Sequence, residues 1–155
     1  MREILFKAKR KDNGEWVEGY LFETQENSYI AYNGQFDDDL FLSPSNIFIR
    51  VDKNTICQYT GLIDKNGNKI WEYDIVVHTY TTYKNDASSY PPFRSEDKKK
   101  NYVIKWDSTA SYCGYRYHNK RNIFPLKKGT IINGDDEVIG NIFDNAELLE
   151  GQVQS

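Results

Sequence analysis

Cys113 and His118 are the residues of this sequence whose types would suit nucleophilic catalysis. A histidine activates a thiol by removing its proton, and Arg116 and Lys120 would lower the pKa of a nearby thiol. The sequence shows no third residue to orient the histidine, and closeness along a chain does not make side chains converge. A half-buried thiol and an ordinary histidine are therefore the favoured interpretation.

Metal, phosphate and dinucleotide sites have sequence patterns that this chain does not show. His78 and His118 lack metal-ligand spacing with a cysteine or with each other, and no glycine-rich phosphate loop occurs. The segment 64–68 resembles the start of a calcium loop, but its glycine comes too early and Ile75 stands where a glutamate is required. The sequence therefore predicts no catalytic residue, no metal ligand and no cofactor.

Glu72, Asp74 and His78 are the remaining candidates for acid–base catalysis. An acidic protein offers many such groups, so the enzyme hypothesis requires a pocket that gathers these three side chains. Without that sign, the sequence favours binding over catalysis.

A basic, tyrosine-rich stretch at 112–128 is the candidate binding surface. Rings that stack on bases, beside cations that neutralise phosphates, are typical of surfaces for single-stranded nucleic acid. The alternative is that tyrosines two residues apart form one face of an ordinary strand, and the net charge of -3 also weakens attraction of a polyanion. The candidate nucleic-acid-binding residues are Tyr112, Tyr115, Arg116, Tyr117, Lys120 and Arg121.

The composition favours a sheet-rich domain that needs no disulfide or metal for stability. A chain of 155 residues can bury most of its apolar surface, and its 15% aromatic content favours strands. Cys57 and Cys113 are too few for a disulfide framework, so we expect free thiols. No apolar run reaches membrane-spanning length, and the charged start at 1–7 does not resemble a signal peptide. We therefore expect no membrane partner.

Charge is unevenly distributed along the chain. Nine acidic residues and one basic residue lie between Asp12 and Asp52, whereas nine basic residues and one acidic residue lie between Lys98 and Lys128. Such regions can attract each other within a chain, attract a neighbouring copy head to tail, or leave a basic face for a polyanion. They can also be solvated charges that happen to cluster.

Four Asn-Gly pairs predict chain reversals between short strands. Both residues tolerate the positive φ that a two-residue hairpin turn requires. The predicted fold class is all-β, mainly antiparallel and hairpin-rich, with curved or barrel-like sheets. The pairs are Asn13-Gly14, Asn33-Gly34, Asn66-Gly67 and Asn133-Gly134.

Two other segments have a composition of their own. Turn formers, a proline pair and a charge run predict a long inserted loop at about 83–101. The segment 144–150 predicts a short C-terminal helical turn. We expect one domain over 1–150 and a frayed tail over 151–155.

Blocks spread over nearly the whole chain carry a family resemblance. They include Ile4–Ala8, Trp16–Gly19, Cys57–Leu62, Asp64–Gly67, Ile70–Val76, Tyr102–Asp107, Glu137–Asn145 and Glu147–Leu149. Together they resemble the YopX family of phage and prophage proteins. Members of that family usually have glycine between the glutamate and aspartate of the fifth block, where this chain has Tyr73. If the position requires a positive φ, Tyr73 is strained there.

The resemblance implies a β-rich fold, a phage or prophage origin and residence in a bacterial host cytoplasm. It implies no known activity or cofactor, and it favours self-assembly. We therefore expect a homo-oligomeric accessory or regulatory protein that acts by binding a macromolecular partner, most simply an unknown protein. The alternative is a nucleic-acid-binding β-barrel that uses the surface at 112–128.

Overall fold

The structure, a computed structural model, describes residues 3–32, 48–85, 88, 93–109, 112–118, 123–125 and 136–149. These residues form antiparallel strands in open sheets, with two short 3-10 turns, which confirms the predicted all-β fold. The chain divides into two compact units, Met1–Leu62 and Ile63–Ser155. The expectation of one domain over 1–150 stays a prediction, and the tail predicted at 151–155 lies outside the described residues.

The first unit contains a curved antiparallel sheet whose strands follow the order β4-β3-β2-β1-β5. The predicted reversal at Asn13-Gly14 lies between β1 and β2, but with a longer loop than a two-residue turn, because Arg10 N donates to Glu15 O at 2.8 Å and four residues lie between this pair. Gly14 alone of the pair takes a positive φ, 74°. The predicted turn at Asn33-Gly34 lies outside the described residues. The strands are β1 (Phe6–Lys9), β2 (Trp16–Glu23), β3 (Ser28–Tyr32), β4 (Phe48–Val51) and β5 (Cys57–Ile63).

One buried residue from each of β1 to β4 forms the core of the first unit. These residues are Ala8, Val17, Ile30 and Val51. Arg10, just after β1, bridges Val51 in antiparallel fashion, so the sheet curls until β4 approaches the end of β1. This curvature buries one face of the strands and leaves the other face outward.

The second unit contains a five-stranded sheet with the order β10-β9-β8-β7-β11. Its centre is buried, with Ile75 and Val76 on β7 and Ile104 on β8 fully covered. The predicted turn at Asn133-Gly134 lies outside the described residues. The strands of this unit are β6 (Lys69–Trp71), β7 (Asp74–Asn85), β8 (Phe93–Thr109), β9 (Tyr112–His118), β10 (Ile123–Pro125) and β11 (Glu137–Asn141).

The Asn66-Gly67 pair forms the predicted reversal, but with a longer loop than a two-residue turn. Gly67 N donates to Asp64 O at 3.1 Å, and Asp64 N donates to Asn68 O at 2.8 Å, so three residues lie between the closing pair. Gly67 alone of the pair takes a positive φ, 84°. This geometry fits a type I turn followed by a left-handed glycine, which needs positive φ at one position only.

The loop predicted at about 83–101 is largely strand, which corrects the sequence prediction. β7 continues to Asn85 and β8 begins at Phe93, and the two strands pair in register from Ile75↔Val103 to Asn85↔Phe93. The misleading signals were the turn formers and the charge run of this segment. Such residues also occur in strands whose side chains are exposed to water, so they do not exclude a paired ribbon.

The predicted C-terminal helical turn is confirmed as a 3-10 turn at Ala146–Leu149. Leu148 N donates to Asn145 O at 3.1 Å inside the turn. Asn101 Nδ2 on β8 donates to Leu148 O at 2.8 Å, which satisfies a terminal carbonyl and holds the turn on the sheet.

Candidate functional site

Four of the six candidate nucleic-acid-binding residues lie on β9. Tyr115, Arg116 and Tyr117 are described with their side chains, and Tyr112 is described only by its place in the strand. Lys120 and Arg121 lie outside the described residues. The structure therefore brings together the first part of the predicted surface.

The two described tyrosines of this set are buried, so they do not offer a ring face to a base. Tyr115 is 5% exposed and Tyr117 is 0% exposed. Their two-residue spacing puts both on the inner face of β9, as the strand alternative predicts. Arg116 Nη1 lies 3.2 Å from Asp107 Oδ2, so this cation already has a carboxylate beside it. Nucleic-acid binding stays a prediction, and these two tyrosines do not support it.

Tyr117 instead belongs to a buried group that we call the polar cluster: His78, Tyr102, Tyr117 and Asp136. His78 Nδ1 lies 2.6 Å from Asp136 Oδ1, and the Tyr117 hydroxyl donates to Asp136 Oδ2. Tyr102 packs edge-on against both His78 and Tyr117, with ring centroids 6.1 and 5.7 Å apart. The cluster thereby joins β7, β8, β9 and the residue before β11.

The electrostatics of the polar cluster follow from burial around one carboxylate. Burial raises the pKa of Tyr117, and the hydrogen bond to Asp136 and the charge of that carboxylate raise it further. Tyr117 therefore keeps its proton and remains a donor. Lys65 N also donates to Asp136 O at 2.9 Å, so the backbone of Asp136 is held as well as its side chain. A buried carboxylate with these partners pins the start of β11 to the sheet.

An aspartate that orients a histidine is one part of a general-base arrangement. In the polar cluster, both oxygens of Asp136 have partners, and the His78 ring packs against two tyrosine rings. These contacts account for the burial of His78 and fit a structural role.

Glu72, Asp74 and His78 have separate partners. Glu72 Oε1 accepts from Trp106 N at 3.3 Å, whereas Asp74 Oδ2 accepts from Trp71 N at 2.8 Å. His78 contacts Asp136. The contacts described for these three side chains are thus structural and do not converge on one reacting centre.

Cys113 and His118 do not form a nucleophile and its base. Both lie on β9, where five residues at about 3.3 Å each separate their Cα atoms by about 17 Å. Burial lowers the pKa of His118, and the charges of Lys105 and Arg116 lower it further against an opposing effect of Asp107. His118 Nε2 is buried and has no hydrogen-bond partner among the described residues.

Asp64 closes the hairpin loop between β5 and β6 and holds β11. Its Oδ1 accepts from Asn66 N at 2.9 Å and from Asn68 N at 2.8 Å, and its Oδ2 accepts from Val138 N at 3.1 Å. Burial raises the pKa of Asp64, but the hydrogen bonds from Val138 and Asn68 outweigh it, and the pKa lies below its usual value. These donors occupy the carboxylate that a calcium loop would need. Within the described ranges, no group of three or more His, Cys, Asp or Glu is placed to hold a metal ion.

Tyr73 adopts the strained backbone expected for a tyrosine at a position where family members usually have glycine. Its φ is 65°, a left-handed value that is costly for a bulky residue. Its backbone N donates to Ile104 O at 2.7 Å, and its carbonyl accepts from Ile142 N at 3.1 Å. The ring packs edge-on against Phe143 with centroids 5.8 Å apart, which offsets part of the strain.

A second concentration of aromatic residues lies on the outer side of the first unit. We call Tyr20, Phe22, Tyr29 and Phe48 the aromatic face. Tyr20, Phe22 and Phe48 are 50%, 51% and 44% exposed. The Phe22 ring lies 5.6 Å from that of Phe48 and 6.4 Å from that of Tyr29. Adjacent exposed rings of this kind are typical of a binding surface.

The aromatic face and Asp136 are not among the residues predicted from the sequence. In β2 the buried Val17 and Gly19 alternate with the exposed Glu18 and Tyr20, so the position of Glu18 marked the outer face of the strand. Asp136 had no comparable signal, because 58 residues separate it from His78.

The YopX family model, described as YopX protein, matches residues 5–150. This chain belongs to the YopX family. Among curated proteins, none matches it. Within the described residues of this YopX-family protein, no helix is long and apolar enough to span a membrane.

A solved structure supports the fold of this YopX-family chain. The crystal structure of protein EF1440 from Enterococcus faecalis is 18% identical in sequence and matches with a TM-score of 0.50. The match covers 96% of this chain and 99% of that one. At this identity the likeness concerns the fold alone. Two residues of the family blocks, Asp64 and Asp74, accept backbone hydrogen bonds at turns between strands, which explains them by architecture.

Proposed function

We propose that this YopX-family protein is a phage- or prophage-encoded, self-associating accessory or regulatory protein of the bacterial host cytoplasm. It acts by binding a macromolecular partner, and the partner is a protein. The observation that carries this proposal is the aromatic face of the first unit. Family membership supports the phage or prophage origin.

The chemistry of the aromatic face suits a protein partner. Phe22 and Phe48 expose apolar rings to water, and covering them would release that water. Charged residues border the rings, since Glu18 precedes Tyr20 by two positions on β2 and Arg50 pairs with Tyr29 across β3 and β4. Aromatic residues in the centre with charges at the rim are the usual arrangement of a protein–protein interface.

The polar cluster does not offer an equivalent surface. His78 and Tyr117 are buried, and their described contacts are with residues of the same unit. Their role is to fix strands, so binding is assigned to the aromatic face.

Comparative capture from host cells that carry the phage or prophage tests the proposal. Wild-type protein and Phe22→Thr are each immobilised at equal amounts, and threonine is chosen because it keeps the strand preference. Glu26→Gln, in the exposed turn after β2, is the matched control. We expect a protein that wild type and Glu26→Gln retain and Phe22→Thr loses at least tenfold.

Nuclease treatment of the same extract separates the two classes of partner. A captured species that persists after treatment and depends on Phe22 supports the proposal. Identical capture by wild type and Phe22→Thr contradicts the assignment of binding to the aromatic face. Capture that nuclease abolishes favours the nucleic-acid alternative instead.

A further inference from the structure

The β7–β8 pair extends well beyond the strands that flank it. β11 pairs with β7 only as far as Val77, and β9 pairs with β8 only from Val103 onward. Beyond these points, 79–85 of β7 pairs with 93–99 of β8, and we call this part the ribbon. Seven residues at about 3.3 Å each make the ribbon about 23 Å long. Among the described residues, no third strand lies beside it.

Polar contacts hold the ribbon together. Thr81 Oγ1 donates to Asp97 Oδ1 at 2.8 Å, and Thr82 Oγ1 donates to Glu96 O at 3.1 Å. An isolated two-stranded ribbon is marginally stable in water, since a third strand or a packed layer is needed for independent stability. Its outer strand edges carry backbone groups suited to pairing with a further strand.

Residues 96–100 of β8, most of which belong to the ribbon, have a self-complementary charge pattern. Their sequence is Glu-Asp-Lys-Lys-Lys, with two acidic residues before Lys98 and two basic residues after it. Glu96 and Lys98 already lie 3.9 Å apart along the strand. A strand with this order presents opposite charges to an antiparallel copy of itself.

Symmetry limits the possible registers of such a pairing, and the charges favour one of them. Two copies of a strand side by side in one sheet are related by a two-fold axis normal to the sheet, so one residue faces its own copy. With Lys98 on the axis, Asp97 faces the partner's Lys99 and Glu96 faces the partner's Lys100. Each contact occurs twice, and only Lys98 meets a like charge, beside its own Glu96. With Asp97 on the axis, two carboxylates meet and half of the favourable pairs are lost.

We propose that the β8 edge at 96–100 pairs antiparallel with the same edge of a second copy of this chain, with Lys98 on the two-fold axis. The proposal rests on the self-association in the proposed function and specifies its geometry. It replaces head-to-tail contact at this edge by an isologous pair. The result is a continuous four-stranded arm made of the two ribbons.

The observations favour a second copy over a polyanion at this edge. Glu96 and Asp97 lie on alternate faces of β8, so both faces of the ribbon carry a carboxylate that would repel phosphate. The chain as a whole has a net charge of -3. A second copy of the chain offers an opposite charge both to the carboxylates and to the lysines of this edge.

Charge-swap variants test the pairing. One variant carries Glu96→Lys and Asp97→Lys, and the other carries Lys99→Glu and Lys100→Glu. Each makes every pair across the axis repulsive, so we expect dimerisation of either variant alone to weaken roughly 100-fold, from four cross-strand pairs that change sign. An equimolar mixture restores four attractive pairs, and we expect it to dimerise at least as tightly as wild type. Lys53→Glu, an exposed change in the first unit, is the matched control.

Analytical ultracentrifugation of the two variants, their mixture and the control reports the result, with circular dichroism to verify the fold. Loss of association in each variant and its recovery in the mixture support the proposal. Association of each variant at wild-type strength overturns the pairing but leaves the proposed self-association standing. A wild-type protein that is monomeric at all concentrations overturns both the pairing and the proposed self-association. The Lys99→Glu, Lys100→Glu variant can instead keep the wild-type mass and lose the oligonucleotide binding of the wild type. That result overturns the pairing in favour of a polyanion.

Discussion

In the first unit, Tyr20, Phe22 and Phe48 leave about half of their surface in water, whereas in the second unit Tyr102 and Tyr117 are buried against His78. The sequence supplies the same residue types in both places. The difference is the curvature of the first sheet, which turns one face of its strands outward, and the presence of Asp136 in the second. Aromatic content therefore indicates strands, and burial decides whether a ring belongs to the core or remains accessible to a partner.

The largest expected effect would come from removing the carboxylate of the polar cluster. Asp136→Ala leaves His78 and the Tyr117 hydroxyl without their partner in a buried site, so we expect the free energy of unfolding to fall by about 4 kcal/mol, roughly 2 kcal/mol for each unsatisfied group. Urea denaturation measures this. Asp12→Ala, which removes the carboxylate of an exposed ion pair with Arg10, is the control and should leave the urea midpoint unchanged. Equal effects of the two variants would break the comparison.

Two single substitutions, one in each unit, compare the regions directly. Tyr117→Phe keeps the ring but removes the hydroxyl bonded to Asp136, so we expect it to lower the free energy of unfolding by about 2 kcal/mol. Phe22→Thr removes a half-exposed ring, and we expect a loss below about 1 kcal/mol. Thermal denaturation at equal concentration measures both. A Phe22→Thr variant that unfolds more easily than Tyr117→Phe would show that the aromatic face is part of the core.

Strain at Tyr73 offers a smaller and sharper test. Tyr73→Ala and Tyr73→Gly both remove the ring contact with Phe143, but glycine also relieves the left-handed backbone. We therefore expect the glycine variant to be more stable than the alanine variant by about 1 kcal/mol. Chemical denaturation of the pair gives the difference. Equal stability would mean that the turn accepts a Cβ at no cost.

The smallest effect concerns the pH dependence of stability at the half-buried His118. Burial, with Lys105 and Arg116 adding to it, lowers the pKa of His118 below its unfolded value. As the pH falls, His118 therefore becomes protonated more readily in the unfolded chain than in the folded chain. The stability due to neutral His118 is thus present above about pH 6.5 and is lost as the pH falls. His118→Gln should flatten the decline in stability between about pH 6.5 and 5. Unfolding free energies measured across that range with the same slope in both proteins would contradict this origin.

Local turn chemistry made much of the fold predictable. Gly14 and Gly67 take the positive φ that their Asn-Gly pairs predicted, and Tyr73 has the left-handed φ that the family pattern suggested. The sequence of the ribbon predicts a loop, because it contains turn formers and a charge run. A stretch of turn formers and charges can still pair when cross-strand contacts such as Thr81 with Asp97 hold it.

The candidate sites were less predictable than the fold. The neighbouring cations of Tyr115 and Tyr117 indicate a binding surface, but the position of a ring on the inner or outer face depends on the register of β8 and β9. The contact of Asp136 with His78 depends on which strand lies beside β7, and no local spacing encodes that. The alternation along β2 did indicate the exposure of Phe22, because Phe22 lies four residues after the exposed Glu18, on the same face of the strand.

Multi-angle light scattering of the wild-type protein tests self-association, the claim on which the account depends, most directly. At low salt we expect a molar mass that is a multiple of the chain mass of 18.2 kDa. At high salt we expect a lower average mass, because screening weakens the charge pairs. A mass of 18.2 kDa under both conditions would contradict the account.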